Sequence, residues 1–365
     1  MARSRTSGSA RIHAVVLAGG AGERFWPASR QKRPKPFLEV IDGKSLLDVT
    51  LERTRRFADA DCVWVVCGAE HARAIRAATG LAADRVLVEP RRRNTAMAVG
   101  FAAERIRRVD PDAVLAVLPA DHHIPDARAF AAAMKTAAAA AARDEVLVTL
   151  GVVPTRPDTG YGYIQPGESV GPPRSGLRRV KRFIEKPDAA RARRLLRQGG
   201  TLWNAGIFVW TARAILEEIE ACAPDVHRAL RPIREGPRRT SRALLERVYR
   251  RAPSHPIDVA VLERSQRVWT LPVRFAWSDV GTWESLAVEL GVRPGRSRVV
   301  SGDTVIDDPG GNLVWAGERP VVLLGVEGVA VVDTDDALLV VKLEASAKVR
   351  AAVAELKKRG RSDVT

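Results

Sequence analysis

Residues 13–30 read His13-Ala-Val-Val-Leu-Ala-Gly-Gly-Ala-Gly-Glu-Arg-Phe-Trp-Pro-Ala-Ser-Arg30. The apolar run HAVVLA carries no formal charge and leads directly into glycines, so it reads as a buried strand and not as a signal segment. A strand that ends in Gly19, Gly20 and Gly22 puts a turn at its carboxyl end, where open α/β sheets bind their ligands. Glycines let the backbone approach a ligand and turn its N–H groups inward, which suits phosphate oxygens. The loop lacks the Gly-Lys-Ser/Thr ending of a P-loop and the GxGxxG spacing of dinucleotide folds. Taken alone, such a stretch is equally a bland tight turn.

Outward from this loop, residues up to 150 alternate apolar runs with helical patterns. Strands are expected at His13–Ala18, Cys62–Cys67, Arg85–Val88, Ala113–Leu118 and Val146–Leu150. Helices are expected around Ser45–Phe57, Ala69–Ala78, Thr95–Val109 and Ala127–Ala142. Strands apolar throughout and spaced by helices predict a mostly parallel sheet covered on both faces, hence an α/β fold. From Gly151 to about Leu290 the pattern is less regular. It has a hairpin near Tyr161, strands near Val180–Ile184 and Gly206–Trp210, helices near Ala189–Arg197 and Ala212–Ala221, and a charged connection at Arg234–Thr240. This stretch is expected to complete a cleft over the first sheet. From Arg298 short β-type runs separated by Gly, Asp and Pro predict a compact β-rich piece, closed by a helix over Glu344–Arg359. The expected division is an N-terminal arm at 1–12, a catalytic domain at 13–290 and a β-rich segment with terminal helix at 298–365.

The glycine loop has basic companions. Arg24 lies just beyond it, and Lys35 sits in Arg-Pro-Lys-Pro-Phe-Leu, where Pro34 and Pro36 stiffen the backbone. Cations fixed beside a glycine cradle suit a triphosphate whose α-phosphorus must accept an anionic nucleophile. Positioning and charge neutralisation are most of what phosphoryl chemistry requires.

Composition bounds the alternatives. The chain has 365 residues, 46% hydrophobic and 28% charged, a globular balance long enough for a sizeable core. No apolar run reaches the roughly 18 residues of a membrane span, and the basic start is followed by no signal-type stretch. A cytoplasmic protein without a membrane partner is expected. Cys62, Cys67 and Cys222 are scattered and read as reduced core thiols, and six histidines make a zinc site an unpromising reading. The net charge of +16 raises nucleic acid as a partner. However, the arginines lie in Ala-rich helices, as at Arg105, Arg107, Arg108, Arg191, Arg193 and Arg194, with no basic tail bearing aromatics. Anionic small substrates fit the charge, and no nucleic-acid partner is expected.

Six further motifs follow the loop: Glu89-Pro-Arg-Arg-Arg-Asn-Thr-Ala, Pro119-Ala-Asp-His, Asp158-Thr-Gly-Tyr-Gly-Tyr-Ile, Phe183-Ile-Glu-Lys-Pro, Leu202-Trp-Asn-Ala-Gly-Ile-Phe and Trp277-Ser-Asp-Val-Gly-Thr-Trp. Together with LAGGAGERFWPASRQKRPKPFL, they resemble the sugar-nucleotide pyrophosphorylase family and, within it, the mannose-1-phosphate guanylyltransferases, also called GDP-mannose pyrophosphorylases. The resemblance runs from residue 13 to about 290, with the motifs in family order. It implies a Rossmann-like nucleotidyltransferase fold with a mostly parallel central sheet and a small β-helix-like C-terminal segment. It also implies the transfer of GMP from GTP to mannose 1-phosphate, giving GDP-mannose and pyrophosphate.

By this resemblance, the nucleotide is bound by Leu17, Ala18, Gly19, Gly20, Gly22, Glu89, Asn94 and Thr95, and the catalytic cations are Arg24 and Lys35. Gly162, Glu185, Lys186 and Asn204 take the sugar phosphate, and Asp121 and Asp279 hold Mg2+. Each assignment has its own chemistry. Two carboxylates can share Mg2+, which prefers oxygen ligands; a turn or helix-cap role remains open for Asp121. A Glu89 carboxylate can accept from guanine N1–H and N2–H2. Which of Glu89, Asn94 and Thr95 touches the base stays open, as does a plain capping role for Asn94. Lys186 can neutralise the sugar phosphate, Glu185 can accept from hydroxyls, and Asn204 offers donors and an acceptor. Tyr161 and Trp203 read as walls. His122 and His123 read as surrounding residues, because the attacking phosphate oxygen is already ionised. The chain departs from the family at Pro36, Met97 and His123, none of which removes a charged group. The C-terminal segment is the candidate surface for a homo-oligomer. A silent sugar-nucleotide sensor, or an enzyme using another nucleotide or hexose 1-phosphate, is the alternative reading; the four charged groups Arg24, Lys35, Asp121 and Asp279 argue against a sensor.

Overall fold

A computed structural model describes residues 10–365 apart from 21, 32, 42, 238–239 and 308–309. Most of the expected N-terminal arm, 1–9, lies outside the described residues. The described residues form two compact units, each assembled from separate stretches of sequence: 10–19 with 53–119 and 126–276, and 20–52 with 120–125 and 277–365.

The larger unit is built on a nine-stranded sheet. Its strands are β1 (Ile12–Leu17), β4 (Val63–Gly68), β5 (Val86–Glu89), β6 (Val114–Pro119), β7 (Leu147–Val152), β8 (Tyr163–Ser169), β9 (Arg178–Ile184), β10 (Leu202–Thr211) and β11 (Val268–Val273). In the smaller unit β2 (Glu39–Ile41) and β3 (Lys44–Ser45) form a hairpin. The large sheet has the order β5-β4-β1-β6-β10-β7-β11-β9-β8. From β5 to β6 it is parallel, with Val16 opposite Val65 on one side and Leu118 on the other. These strands are apolar on both faces, as parallel strands between helix layers must be. β10 then runs antiparallel between β6 and β7, and β11 returns parallel to β7. β8 and β9 complete an antiparallel edge. The result is a Rossmann-like α/β sheet, parallel in its first half and mixed beyond β6.

Helices cover both faces. On one, α3 (Asn94–Arg107), α6 (Ala212–Cys222), α7 (Pro224–Glu235) and α8 (Arg242–Arg251) bury Phe101, Ile215, Leu230 and Tyr249 against Val15, Leu115 and Val117. Strand side chains alternate between faces, and α4 (Ala127–Asp144) covers the other one with buried Phe130, Met134 and Ala141. Local chemistry starts these helices where the sequence changes texture. Asp126, Thr211 and Ser241 each accept a backbone N–H from the first turn. The shorter helices are α1 (Leu46–Thr54), α2 (Ala72–Thr79) and α5 (Ala189–Gln198).

The smaller unit joins the glycine-loop segment to the C-terminal residues. Strands β12 (Arg298–Ser301), β14 (Leu313–Trp315) and β16 (Val329–Asp333) stack in parallel, as do β13 (Thr304–Ile306) and β15 (Val321–Leu323); β17 (Leu338–Lys342) closes the first stack antiparallel. Short parallel rungs recurring along the chain make this the β-helix-like segment. The expected terminal helix is tighter at its start: 3-10 turns over Leu343–Lys348 precede α10 (Val349–Lys358). One core joins Phe25, Trp26 and Leu38 to Trp283 of α9 (Trp283–Glu289) and to Leu313, Val332, Val349 and Val353.

Candidate active site

In the smaller unit a cavity of about 340 Å³ is lined by Gly22, Arg24, Lys35, Asp121, Asp279 and Gly281, among others. Two segments brought side by side set its acidic groups. His123 and Ser278 form an antiparallel bridge, exchanging backbone hydrogen bonds of 2.9 and 3.0 Å. This bridge lies two residues after Asp121 and one before Asp279. Trp277 Nε1 donates to His122 Nδ1 at 3.2 Å, and His123 Nδ1 lies 2.5 Å from Glu289 Oε2. Both histidines are therefore engaged in fixing these segments.

Lys35 is nearly buried, and two short contacts hold its ammonium in place. Nζ donates to Asp121 Oδ2 at 2.7 Å and to the Asp279 carbonyl at 2.7 Å. Burial works against ionising Asp121, but the charges of Lys35 and His122 outweigh it and hold the carboxyl below its ordinary range. Arg24 donates to the Gly281 carbonyl at 3.3 Å. Gly22 adopts φ 63°, and a Cβ added there would stand 2.5 Å from Lys35 Cβ. This glycine is thus required both by its backbone conformation and by the close approach of Lys35.

The larger unit brings together Gly162, Glu185, Lys186 and Asn204. A Cβ on Gly162 would lie 2.6 Å from Glu185 Oε2 and 3.3 Å from Asn204 Cβ. Asn204 N donates to the Gly162 carbonyl at 2.8 Å, and Lys186 Nζ pairs with Glu185 Oε1. The hairpin β8–β9 supplies Glu185 at its end. A register shift in β10 between Asn204 and Phe208, with Gly206 at φ 65°, re-aims the Asn204 side chain. That side chain is then held on three sides. Its Oδ1 accepts from Thr149 Oγ1 (2.9 Å) and Gly206 N (3.1 Å), and its Nδ2 donates to Asp258 Oδ1 (2.8 Å). One amide hydrogen remains for a ligand. Arg156 lies 5.4 Å from the centroid of Trp203 and 5.9 Å from that of Tyr161, whose rings meet edge to face.

The Glu89 group is more scattered in its bonding. Glu89 ends β5, is buried, and its Oε1 has no hydrogen-bond partner. Burial pushes its carboxyl up to about 7, against the opposing influence of the Tyr249 hydroxyl and Arg92. Asn94 is the first residue of α3, whose N-cap is Arg93 with no side-chain cap; Asn94 Oδ1 accepts only from the adjacent Thr95 N at 2.9 Å, which is not a capping contact. The Thr95 hydroxyl accepts from Ile257 N at 2.8 Å. Leu17 and Ala18 lie at the end of β1, with Ala18 N donating to the Val66 carbonyl.

Five described residues other than glycine have left-handed φ, and Asn94, Lys186 and Val280 place three of them inside the motifs. Such conformations cost about 1–3 kcal/mol each and persist where the surroundings impose them. Sequence reading missed Asp258, Tyr249 and Arg350. Asp258 begins a short π-helix (Asp258–Leu262), and burial together with the Glu185 charge pushes its carboxyl up to about 6. None of the three has a local signature, because each meets its partners across long sequence separations.

Residues 13–289 match the family described as Nucleotidyl transferase, and residues 302–356 match the MannoseP isomerase/GMP-like beta-helix domain. Xanthan biosynthesis protein XanB of Xanthomonas campestris pv. campestris is 38% identical over 96% of this chain and 74% of its own length. The mannose-1-phosphate guanylyltransferase of Escherichia coli is 34% identical, with the same coverages. The crystal structure of mannose-1-phosphate geranyltransferase from Thermus thermophilus superposes with a TM-score of 0.86 at 36% identity, covering 95% of this chain and 99% of that one.

Proposed function

Given that the chain belongs to the nucleotidyl transferase family and is a nucleotidyltransferase, we propose that it transfers GMP from GTP to mannose 1-phosphate, releasing pyrophosphate and forming GDP-mannose. The observation that carries this reading is the cavity in which Arg24 and Lys35 stand with two carboxylates beside a glycine turn. Relatives whose names state this activity support the choice of substrates.

In this mechanism the loop from Gly19 to Arg24 receives the triphosphate, and Glu89, Asn94 and Thr95 serve the base. The raised Glu89 carboxyl ionises more readily once guanine N1–H and N2–H2 donate to it. Gly162, Glu185, Lys186 and Asn204 hold mannose 1-phosphate, with the remaining Asn204 amide hydrogen on a sugar oxygen. A phosphate oxygen of the sugar attacks the α-phosphorus in line as the bond to pyrophosphate breaks. Arg24 and Lys35 stabilise the charge that develops. Asp121 and Asp279 would hold Mg2+: they offer the all-oxygen donor set that ion prefers, and the Lys35 ammonium already resting on Asp121 Oδ2 and the Asp279 carbonyl marks the spot as suited to a cation. When bound, the ion supplies further neutralisation of the reacting phosphates. A cytoplasmic location and small anionic partners, not nucleic acid, complete the proposal; no described helix is long and apolar enough to cross a membrane.

The test is pyrophosphate release in three mixtures: GTP with mannose 1-phosphate, GTP with glucose 1-phosphate, and UTP with mannose 1-phosphate. Release in the first alone is expected. Release in another mixture changes the substrate pair, and silence in all three from folded protein overturns the proposal. Lys35→Ala is expected to lower kcat about 10²–10³-fold; near-normal turnover would remove Lys35 from the mechanism.

A further inference from the structure

The cavity in the smaller unit has a wall that none of the motifs supplies. Arg350, the second residue of α10, lines it together with Glu23, Arg24 and Lys35. Val349 and Val353 anchor the helix in the core beside Phe25 and Trp26. Seven residues beyond Arg350, and so on the same face of the helix, stands Lys357. Both reach Glu23 of the glycine loop, but unequally. Lys357 Nζ lies 2.8 Å from Glu23 Oε1, whereas Arg350 Nε lies 3.5 Å from Oε2 with 72% of its side chain exposed.

We propose that Arg350 is a phosphate-binding residue of this cavity, contacting the pyrophosphate portion of the nucleotide. The C-terminal segment would then contribute a side chain directly to the reaction. The inference rests on the nucleotidyl-transfer reading above. Its argument is one of charge and reach. The Lys35 ammonium is already committed to Asp121 and to the Asp279 carbonyl, and Arg24 donates to the Gly281 carbonyl. An incoming polyphosphate adds negative charge beside Glu23, Asp121 and Asp279. Arg350 can turn from Glu23 to the phosphates without stranding that carboxylate, because Lys357 keeps its closer contact. A guanidinium offers paired N–H donors that match phosphate oxygens.

Inorganic pyrophosphate is the probe, because it reports on the cavity whichever base and sugar the protein prefers. Its binding is measured by calorimetry, in buffer containing Mg2+, for the unmodified protein, Arg350→Gln, Glu23→Gln, the double variant, and Lys358→Ala, which removes one exposed positive charge from the same helix. The expected result is a roughly tenfold to hundredfold weaker Kd for Arg350→Gln, persisting in the Glu23→Gln background, with Lys358→Ala within about twofold of the unmodified protein. Partial recovery in Arg350→Lys, at unchanged melting temperature, separates binding from folding. The proposal is overturned if Arg350→Gln binds as the unmodified protein does, if its effect disappears once Glu23 is replaced, if Lys358→Ala weakens binding equally, or if the unmodified protein binds no pyrophosphate. Failure of the catalytic reading would show instead as no pyrophosphate release from any substrate mixture, with this titration still deciding Arg350.

Discussion

Gly22 cannot be exchanged for alanine without two penalties: a left-handed φ and a Cβ 2.5 Å from that of Lys35. Gly22→Ala should destabilise the protein by about 1–3 kcal/mol and lower kcat by displacing Lys35. A chemical denaturation curve with initial rates would read both. At Gly19 and Gly20 an added Cβ meets nothing within 4 Å. Alanine at either should change stability by no more than about 0.5 kcal/mol while weakening GTP binding, if the bare backbone serves a ligand. Equal affinity in these variants would make the two glycines mere loop residues. Glu89 carries a pH dependence of definite sign. Its carboxyl titrates at about 7 folded against 4.5 in the ordinary state, so the folded protein binds the proton more tightly. Its stabilising effect is full below pH 4.5 and declines as pH rises through about 7, on the order of 3 kcal/mol in all. Glu89→Gln should therefore flatten the fall of stability between about pH 4.5 and 7 seen in urea unfolding. At this scale the motif residues were legible because their chemistry is written in adjacent letters, as in Glu185-Lys186. Tyr249 and Asp258 were not, since what matters about them is which distant side chain they meet.

The register shift in β10 is an element built for one side chain. It turns Asn204 towards Gly162, and Thr149, Gly206 and Asp258 fix the amide so that its remaining hydrogen has one direction to point. Asp258→Ala should raise KM for mannose 1-phosphate about tenfold and leave KM for GTP within about twofold, since it releases one hydrogen bond to a positioned group. An equal rise in both constants would show a general loss of structure. The elements differ in how plainly the sequence marks them. Apolar strands such as β1, β4 and β6 announce themselves, because a strand buried on both faces has few polar positions, His13 being the exception in β1. Helices α7 and α8 are hidden in the sequence, since their apolar stripes, Val226, Leu230 and Ile233 in one and Leu244, Leu245 and Val248 in the other, are crowded by arginines. The antiparallel placement of β10 between β6 and β7 leaves no trace in local pattern, because an apolar strand looks the same in either direction.

The C-terminal β segment shares one core with the glycine-loop segment. Phe25, Trp26 and Leu38 are buried among Trp283, Leu313, Val332 and Val349. Trp26 Nε1 donates to the Val364 carbonyl at 2.6 Å, and Arg30 pairs with Asp336 at 2.6 Å. A chain ending at residue 297 should therefore lose soluble expression, bind a hydrophobic dye, and release no pyrophosphate. A soluble, active truncation would show that the segment is dispensable. Sequence alone shows where texture changes near Arg298, but not that residues 20–52 belong to the same compact body as those after 277, because shared burial is a property of the folded chain.

This interleaving bears on inheritance. Recombination between related genes with a crossover near codon 290 looks, from the sequence, like the exchange of a detachable module. It would in fact pair Trp26 and Arg30 of one parent with Asp336 and Val364 of the other. Functional chimeras should thus be confined to parents that match on both sides of this seam. Across lineages, the two distant stretches should drift in concert.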